Sequence, residues 1–380
     1  MAVNPDALSA ARQPRGIVRV GASQDDGSIL WTRLDAWIHW EVDNNTYSEA
    51  DTFRVTFALS ALPAAYNDAF WAMSLEVFVE IFAGFPADAE NYGPADLKSI
   101  VYGRVDDIDY DPVDRKLTVS GRDLTAILID ARTTESFQGD TASKVALRIA
   151  ARHGFTPVVT PTTDMVGNFY ETDTVKVNTQ RSEWDVLTQL ATAEDFLVYI
   201  KGNELHFEPL PAPATNAYVL KWEPPNDKTG AFSFNGKSIT FTRALHIARG
   251  IVVQVKYTMP NKKGTFVVRY PNKSAGIKVG QSKANAQLYS LFVRNISPQQ
   301  ALKRAEAEHA SVTRHEVKMR ATLPADNILQ TNNIITVTGT ATAFDQTYYP
   351  ESIVREMDLS TGYTMSISAK NHSPSTVVAI

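Results

Sequence analysis

Three aspartates at alternating positions, Asp107, Asp109 and Asp111, are the best-arranged candidates for binding a metal ion. Carboxylates at the first, third and fifth positions are typical of the calcium loop of an EF-hand. That loop needs glycine at its sixth position and glutamate at its twelfth, where this chain has Pro112 and Thr118. We therefore interpret the segment as a solvated hairpin turn and predict no calcium site.

Histidine and cysteine provide no better metal site. His309 and His315 are each next to a glutamate, Glu308 and Glu316, but six-residue spacing places the two histidines about 240° apart around a helix. That is not the spacing of a zinc-binding helix. The sequence contains no cysteine, which excludes disulfides, zinc–thiolate sites and thiol nucleophiles. The sequence predicts no metal-binding residues.

Ser120, which is followed by Gly121, is a candidate nucleophile on a turn. The Gly-x-Ser-x-Gly pattern of a nucleophile elbow is missing, so we interpret this segment as a strand end followed by a turn. Glycan cleavage needs only two carboxylates, and the chain has 42 acidic residues. A peptidoglycan hydrolase therefore stays open as an alternative, although the sequence predicts no catalytic and no cofactor-binding residues.

Length and composition indicate a globular protein of several domains. A chain of 380 residues exceeds the size of one ordinary core, and 44% hydrophobic with 21% charged residues is typical of soluble proteins. The net charge of −5 argues against sequence-specific nucleic-acid binding, since no dense Lys/Arg face accompanies it. Arg12, Arg15, Arg19 and the pair Lys262–Lys263 are interpreted as solvated loop residues.

The N-terminal region shows neither a secretory signal nor a strand pattern. No segment reaches about 18 uncharged apolar residues, so we expect no membrane insertion. Residues 1–30 are interpreted as an arm, and the β pattern begins at Trp31. We expect the chain to fold in a cytoplasm.

Period-two alternation predicts antiparallel strands after this arm, most clearly at residues 53–59. A mixed segment follows. Thr141 is the predicted cap of one helix, Ser182 with Asp185 forms the capping box of a second, and Gly202-Asn203 is a hairpin turn. The stretch Pro209-Leu-Pro-Ala-Pro213 is interpreted as a linker. Strands then resume, interrupted by one helix capped by Ser297 and Gln300.

An internal repeat is the most informative pattern. The first β region is predicted to contain four strands, at 53–59, 75–82, 101–109 and 116–121. The end of the chain has four strands of similar length and order, at 317–323, 334–339, 348–359 and 363–369. The similarity is one of pattern, and it predicts two related small barrels in one polypeptide with an inserted domain between them.

Such a duplication has a symmetry consequence. Three chains with two similar barrels each place six barrels in a ring, and closed rings arise from head-to-tail contacts. One side of the ring can match a hexameric tube and the other side a trimeric partner.

Specific segments resemble a known family. Gly103-Arg-Val-Asp-Asp-Ile-Asp109 and the run from Val119 to Asp130 resemble the first barrel of the phage baseplate hub family, also called late control protein D. Arg181-Ser-Glu-Trp-Asp-Val-Leu-Thr-Gln-Leu-Ala191 resembles its middle domain. Ile296-Ser-Pro-Gln-Gln-Ala-Leu-Lys-Arg-Ala305 resembles the approach to its last barrel. The resemblance covers roughly residues 30 to 370 and extends to the hub part of contractile injection system spikes.

This resemblance implies a structural hub rather than an enzyme. It implies a homotrimer in the virion tail baseplate that joins the hexameric tail tube to the trimeric central spike. Further partners would be other baseplate wedge proteins and the tape-measure protein. Since no β-helical repeats follow the last predicted barrel, we expect the spike needle to be a separate protein. A host-surface adhesin built of β-domains is the second alternative.

The expected fold is therefore β-rich α+β and multidomain, with two related small antiparallel, tail-tube-like β-barrels and an inserted α+β domain. The predicted divisions are an arm at 1–30, a first barrel at 31–138, an α+β domain at 139–212, a connecting β domain at 213–296, and a helix with strands completing the second barrel at 297–380.

Overall fold

The protein is β-rich and multidomain in its computed structural model. The structure describes residues 13–24, 28–46, 49–133, 135, 137, 139–163, 181–209, 217–225, 230, 232–244, 251–259, 262–271, 287–294, 296–313, 317–331 and 333–371. The predicted linker at 210–213, the N-terminal arm up to residue 12 and His315 lie outside these residues.

Seven strands form what we call the first module. They are β1 (Arg15–Ser23), β2 (Ile29–Arg33), β3 (Trp37–Asn45), β4 (Thr52–Ala58), β5 (Val77–Gly84), β6 (Lys98–Asp111) and β7 (Lys116–Asp123). Helix α1 (Asp68–Met73) connects β4 to β5. Alternation determines the strand faces, because Phe53, Val55 and Phe57 on β4 are all buried.

A small α+β domain follows the first module. It contains α2 (Thr125–Asp130), β8 (Arg132–Thr133), α3 (Ala142–Arg152), β9 (Thr156–Val159), β10 (Arg181–Ser182), α4 (Glu183–Glu194), β11 (Phe196–Lys201) and β12 (Glu204–Pro209). The predicted caps are confirmed. The Thr141 side chain accepts from the Lys144 amide, and Ser182 with Asp185 forms the capping box of α4, with distances of 3.0 and 3.1 Å.

The remaining strands complete a second module around an insertion. The second module contains β13 (Ala217–Glu223), β14 (Ser233–Phe234), β15 (Ser238–Arg243), β19 (Val317–Pro324), β20 (Ile334–Thr338), β21 (Thr347–Asp358) and β22 (Gly362–Lys370). The insertion contains β16 (Ile251–Met259), β17 (Lys262–Tyr270), β18 (Gln287–Val293) and α5 (Pro298–Thr313). The predicted cap of α5 is confirmed by reciprocal bonds of Ser297 with Gln300.

The two modules have the same strand order. The first is ordered β3-β4-β7-β6-β5-β1-β2, and the second β15-β19-β22-β21-β20-β13-β14. Matching strands also follow the same sequence along the chain. One pairing differs, because β1 runs antiparallel to β5 while β13 runs parallel to β20. The duplication predicted from four strands is confirmed and extends to seven.

Three hydrophobic cores hold these parts. The largest is shared by both modules and contains residues such as Trp40, Val79 and Met365. Phe78 points the other way, into the core of the α+β domain. Strand β5 is thus buried at every position, because it lies between two strands and two cores. Helix α5 packs on β16 and β17, where Ala301 and Ala305 join the third core.

The strand pairing differs from the sequence interpretation at two points. Strand β1 lies in the region interpreted as an arm, and its Ile17 and Val18 are both buried; with buried residues on both faces it lacks the alternation that identifies a half-exposed strand. Strands β13 to β15 pair within the second module, and helix α5 packs on the insertion. Sequence order did not indicate this, because strands pair with partners that are distant in the sequence. The domain boundaries given above stay predictions.

Candidate functional site: the junction of the two modules

The two modules are joined edge to edge by one strand pair. Strand β21 is paired with β20 only at Thr347 and Tyr348. From Ser352 to Asp358 it pairs with β3 instead, antiparallel and over seven consecutive residue pairs. Thr46 closes the end of this junction, its hydroxyl lying 2.7 Å from the Pro350 carbonyl oxygen. The junction makes one continuous sheet of both modules.

Arg355 is the charged residue buried at this junction, with 4% of its surface exposed. Its Nε donates to the Asp326 carbonyl at 3.1 Å, and one terminal nitrogen donates to Oδ1 of Asn44 at 3.0 Å. The other donates to the Leu329 carbonyl. Arg355 thereby fastens β21 to β3 and to the loop between β19 and β20.

Two carboxyls lie beside this junction: Asp123 is buried and Asp51 is half-buried. Oxygens of Asp51 accept from the Asn44 side chain and the Asn45 amide, both at 2.7 Å. Oδ1 of Asp123 accepts from the Thr125 amide at 3.1 Å, and the Asp123 amide donates to the Asp51 carbonyl at 2.9 Å. These bonds fix the start of β4 against the end of β7.

Burial controls the ionisation of both acids. It raises the pKa of Asp51 to about 7, although the bonds from Asn44 and Asn45 oppose it. Burial, followed by the neighbouring Asp51 charge, raises the pKa of Asp123 well above its usual value. Because both carboxyls are committed to local backbone and amide contacts, we interpret them as structural parts of the junction.

A cavity of about 260 Å³ lies between the junction and the α+β domain. Burial lowers the pKa of Lys98 at its wall, with the charges of Lys201 and Arg355 acting in the same direction. The charged and polar residues around the cavity are Asn44, Asn45, Asp51, Lys98, Ser99, Tyr102, Asp123, Tyr199, Lys201, Glu204, Asn327, Gln330, Thr331 and Arg355. Its size and these polar side chains suit ordered water.

The aspartates considered for calcium lie on a strand and not together in a loop. Asp107 and Asp109 are exposed on one face of β6. Asp111 ends that strand, and its Oδ1 accepts from the amides of Val113 and Asp114, both at 2.8 Å. The turn is therefore shorter than predicted. Among the residues that the structure describes, no group of three or more His, Asp or Glu side chains is placed to hold a metal ion.

The other candidate residues, Ser120 and His309, lie within regular strands and helices. Ser120 lies inside β7, opposite Arg54 and Asp107, and the strand predicted to end at Gly121 continues two residues further, to Asp123. His309 is buried on α5, where desolvation lowers its pKa, and its ring meets Tyr270 edge-on at 5.3 Å. Trp184, with Leu187 and Leu190, lies in the core of the α+β domain.

The basic residues near the N-terminus are not loop residues. Arg19 lies on β1, forms an ion pair with Glu80 and stacks 4.5 Å from the Trp31 ring. Arg15 begins the same strand and donates to the Ala89 carbonyl at 2.8 Å. Their interpretation as solvated loop residues was wrong, because partly buried guanidinium groups can pair within a sheet.

Sequence reasoning missed the residues that form the junction. Arg355 on β21, Asp123 on β7 and Asp51 just before β4 lie far apart in the chain, and no local spacing relates them. Asp123 lies inside a segment used for the family resemblance, but nothing in that segment's pattern predicted that its carboxyl would be buried.

The fold is similar to those of tail proteins of known structure. A tail protein from Neisseria meningitidis matches with a TM-score of 0.65 and 13% identity, over 94% of this chain and 96% of its own. The 43 kDa tail protein of prophage MuSo2 from Shewanella oneidensis matches with 0.61 and 16%, over 94% and 98%. An E. coli component of the type VI secretion system, described as similar to bacteriophage tail proteins, matches with 0.50 and 10%, over 89% and 74%.

No protein-family model and no curated protein matches the sequence. At such low identities the structural matches show the fold alone: the chain has the fold of tail proteins, one of them from a prophage, and of a type VI secretion system component. The suspected relationship to tail hubs agrees with this fold. Among the helices of the described residues, none combines the length and apolar character needed to cross a membrane.

Proposed function

We propose that this protein is the structural baseplate hub of a phage contractile tail. It forms a homotrimer that joins the hexameric tail tube to the trimeric central spike. The observation that carries the proposal is the duplication of one seven-strand module within a chain, with both copies joined in a single sheet. Three such chains present six similar modules, which supports a match between sixfold and threefold partners.

The hub acts mechanically and not as an enzyme. Its partners are the tube protein, the spike protein and other baseplate wedge proteins, and the tape-measure protein ends at or near it. Its location is the tail baseplate of the virion, reached after synthesis in the host cytoplasm. A hub must hold its partners under load, and the shared core of both modules supports such rigidity.

Reconstitution with the tail tube and central spike proteins of the same phage tests the proposal. We expect a stable ternary complex that contains three copies of this chain, as measured by size-exclusion chromatography with light scattering. Failure to bind either protein would contradict the hub. Clearing of a peptidoglycan zymogram by the purified chain would favour the hydrolase, and glycan or cell binding without tube binding would favour the adhesin.

A further inference from the structure

Strand β6 is longer than the neighbours that cover it. Its residues from Lys98 to Arg104 pair with β5 on one edge, and those from Gly103 to Asp111 pair with β7 on the other. Beyond Arg104, no strand among the described residues pairs with the edge of β6 that faces β5. An unpaired strand edge is a template for another strand.

The equivalent strand of the second module uses this same half-edge. Strand β21 corresponds to β6, and beyond its short pairing with β20 it continues along β3. Strand β3 in turn corresponds to β15, which pairs with β19 alone among the described residues. Among the described residues, each chain therefore has two unpaired edges. The half-edge of β6 is equivalent to the part of β21 that pairs at the internal junction, and the edge of β15 is equivalent to that of β3.

We propose that β6 of one copy adds antiparallel to β15 of the next copy and repeats the internal β21–β3 junction. The modules then alternate around the ring, and every module meets its neighbours through the same kind of strand pair. This inference rests on the proposed homotrimer and identifies the surface that builds it.

The duplication fixes the register of this contact. Asp111 and Asp358 both end the third strand of the four-strand repeat, so Asp109 matches Glu356. The same match can be followed from strand to strand, through β7 and β4 in the first module and through β22 and β19 in the second. It ends with Glu41 on β3 and Ser238 on β15 at equivalent positions. Since Glu41 lies directly opposite Glu356, Asp109 should lie opposite Ser238.

Neighbouring positions in this register are complementary. Ile108 falls opposite Ile239, an apolar pair of two half-exposed side chains. Asp107 falls opposite Thr240, which is itself opposite Arg320 on β19, so the acid and the guanidinium share one face of the extended sheet. Acidic residues on β6 alone would only protect an edge from aggregation. Here Asp107 also has a partner of opposite charge, because exposed basic residues lie on β19, next to β15.

The basic residues near β15 are exposed: one precedes this strand and two lie on its neighbour β19. Lys237 precedes this strand, and Lys318 and Arg320 alternate on β19. On β6, Asp106 is already held by Arg122 at 2.6 Å, which leaves Asp107 and Asp109 to face the neighbouring copy. The charges thus favour contact of unlike edges and disfavour contact of two β6 edges.

Cysteine pairs test the register directly, since the chain contains no cysteine. Directly opposite residues of an antiparallel pair have Cα atoms about 4.5–5.5 Å apart, within the range that a disulfide bridges. We expect Asp109→Cys/Ser238→Cys to form, on mild oxidation, covalent dimers and trimers on a non-reducing gel. The matched control Glu41→Cys/Glu356→Cys should form its disulfide within one chain, and the offset pair Asp109→Cys/Thr242→Cys should form no covalent oligomer.

Native mass spectrometry of the same samples without oxidant separates the two claims. Trimers without covalent oligomers in Asp109→Cys/Ser238→Cys would overturn the proposed edge and leave the hub intact. Monomers at every concentration, again without covalent oligomers, would overturn both.

Charge reversal provides a second variant that does not depend on disulfide geometry. We expect Asp107→Arg to weaken trimer formation by at least about tenfold, and Arg320→Asp to do the same, because each places like charges together. The double variant Asp107→Arg/Arg320→Asp should recover most of the affinity. Equal trimer formation by all three proteins would contradict the contact.

Discussion

Val42 on β3 lies directly opposite Arg355 on β21, in the strand pair that joins the two modules. A buried arginine beside an aliphatic residue is tolerated here because its donors reach two carbonyls and one amide oxygen. The carbonyls come from the loop that follows β19, so one side chain connects three parts of the chain.

Replacing Arg355 should therefore destabilise the junction. Arg355→Met retains much of the volume but leaves the Asp326 and Leu329 carbonyls and the Asn44 amide oxygen without this donor, and we expect a loss of roughly 2–4 kcal/mol in the free energy of unfolding. Urea denaturation measures it. The control Arg54→Met changes an exposed residue of β4 and should stay within about 0.5 kcal/mol. Equal losses in the two variants would contradict the role of Arg355.

The buried acids predict a pH dependence of stability. The pKa of Asp51 rises from 3.8 to about 7 on folding, so the folded state binds more protons than the unfolded state between these values. The free energy of unfolding should therefore fall as the pH rises from about 4 to about 7, by an amount on the order of a few kcal/mol. Denaturation series at pH 4.5, 6 and 8, chosen roughly around this window, measure the slope.

Asp123→Asn should reduce this slope. The asparagine retains the Oδ1 acceptor for the Thr125 amide and removes a buried carboxyl whose own raised pKa adds to the slope. We expect the variant to gain stability relative to the native chain mainly at pH 8, while Asp114→Asn in an exposed turn should leave the slope as it is. A slope that is the same in all three proteins would show that the acid pair does not control it.

Close backbone approach predicts intolerance of a methyl group at Gly121. A Cβ there would lie 2.0 Å from the Arg104 carbonyl oxygen and 2.9 Å from the Phe53 ring. We expect Gly121→Ala to destabilise the chain by at least about 2 kcal/mol, measured by thermal unfolding. At Gly93 the nearest atom is 3.9 Å away, so Gly93→Ala is the control and should be nearly neutral. Similar melting temperatures for both variants would contradict this packing.

Local patterns were enough to predict most strands and caps. Alternation around Val55 placed β4 within one residue, and the residue types at Ser182 and Ser297 identified the two helix starts. These features depend on contacts within a few residues, which is why sequence order reveals them. The repeat was visible for the same reason, since both copies retain their alternation.

Long-range pairing could not be predicted in the same way. The contact of Asp358 with His39 joins opposite ends of the chain, and it depends on the curvature of the whole sheet. The alternating pattern of β3 would suit any partner strand. Arg355 has ordinary surroundings in sequence, and it is buried where β21 pairs with β3.

Electron cryomicroscopy of the purified oligomer tests the hub most directly. The account predicts a ring of three chains in which six modules alternate, so that low-resolution end views show nearly sixfold symmetry that resolves into threefold symmetry at higher resolution. Particles with one chain, or rings whose copy number is not three, would contradict it.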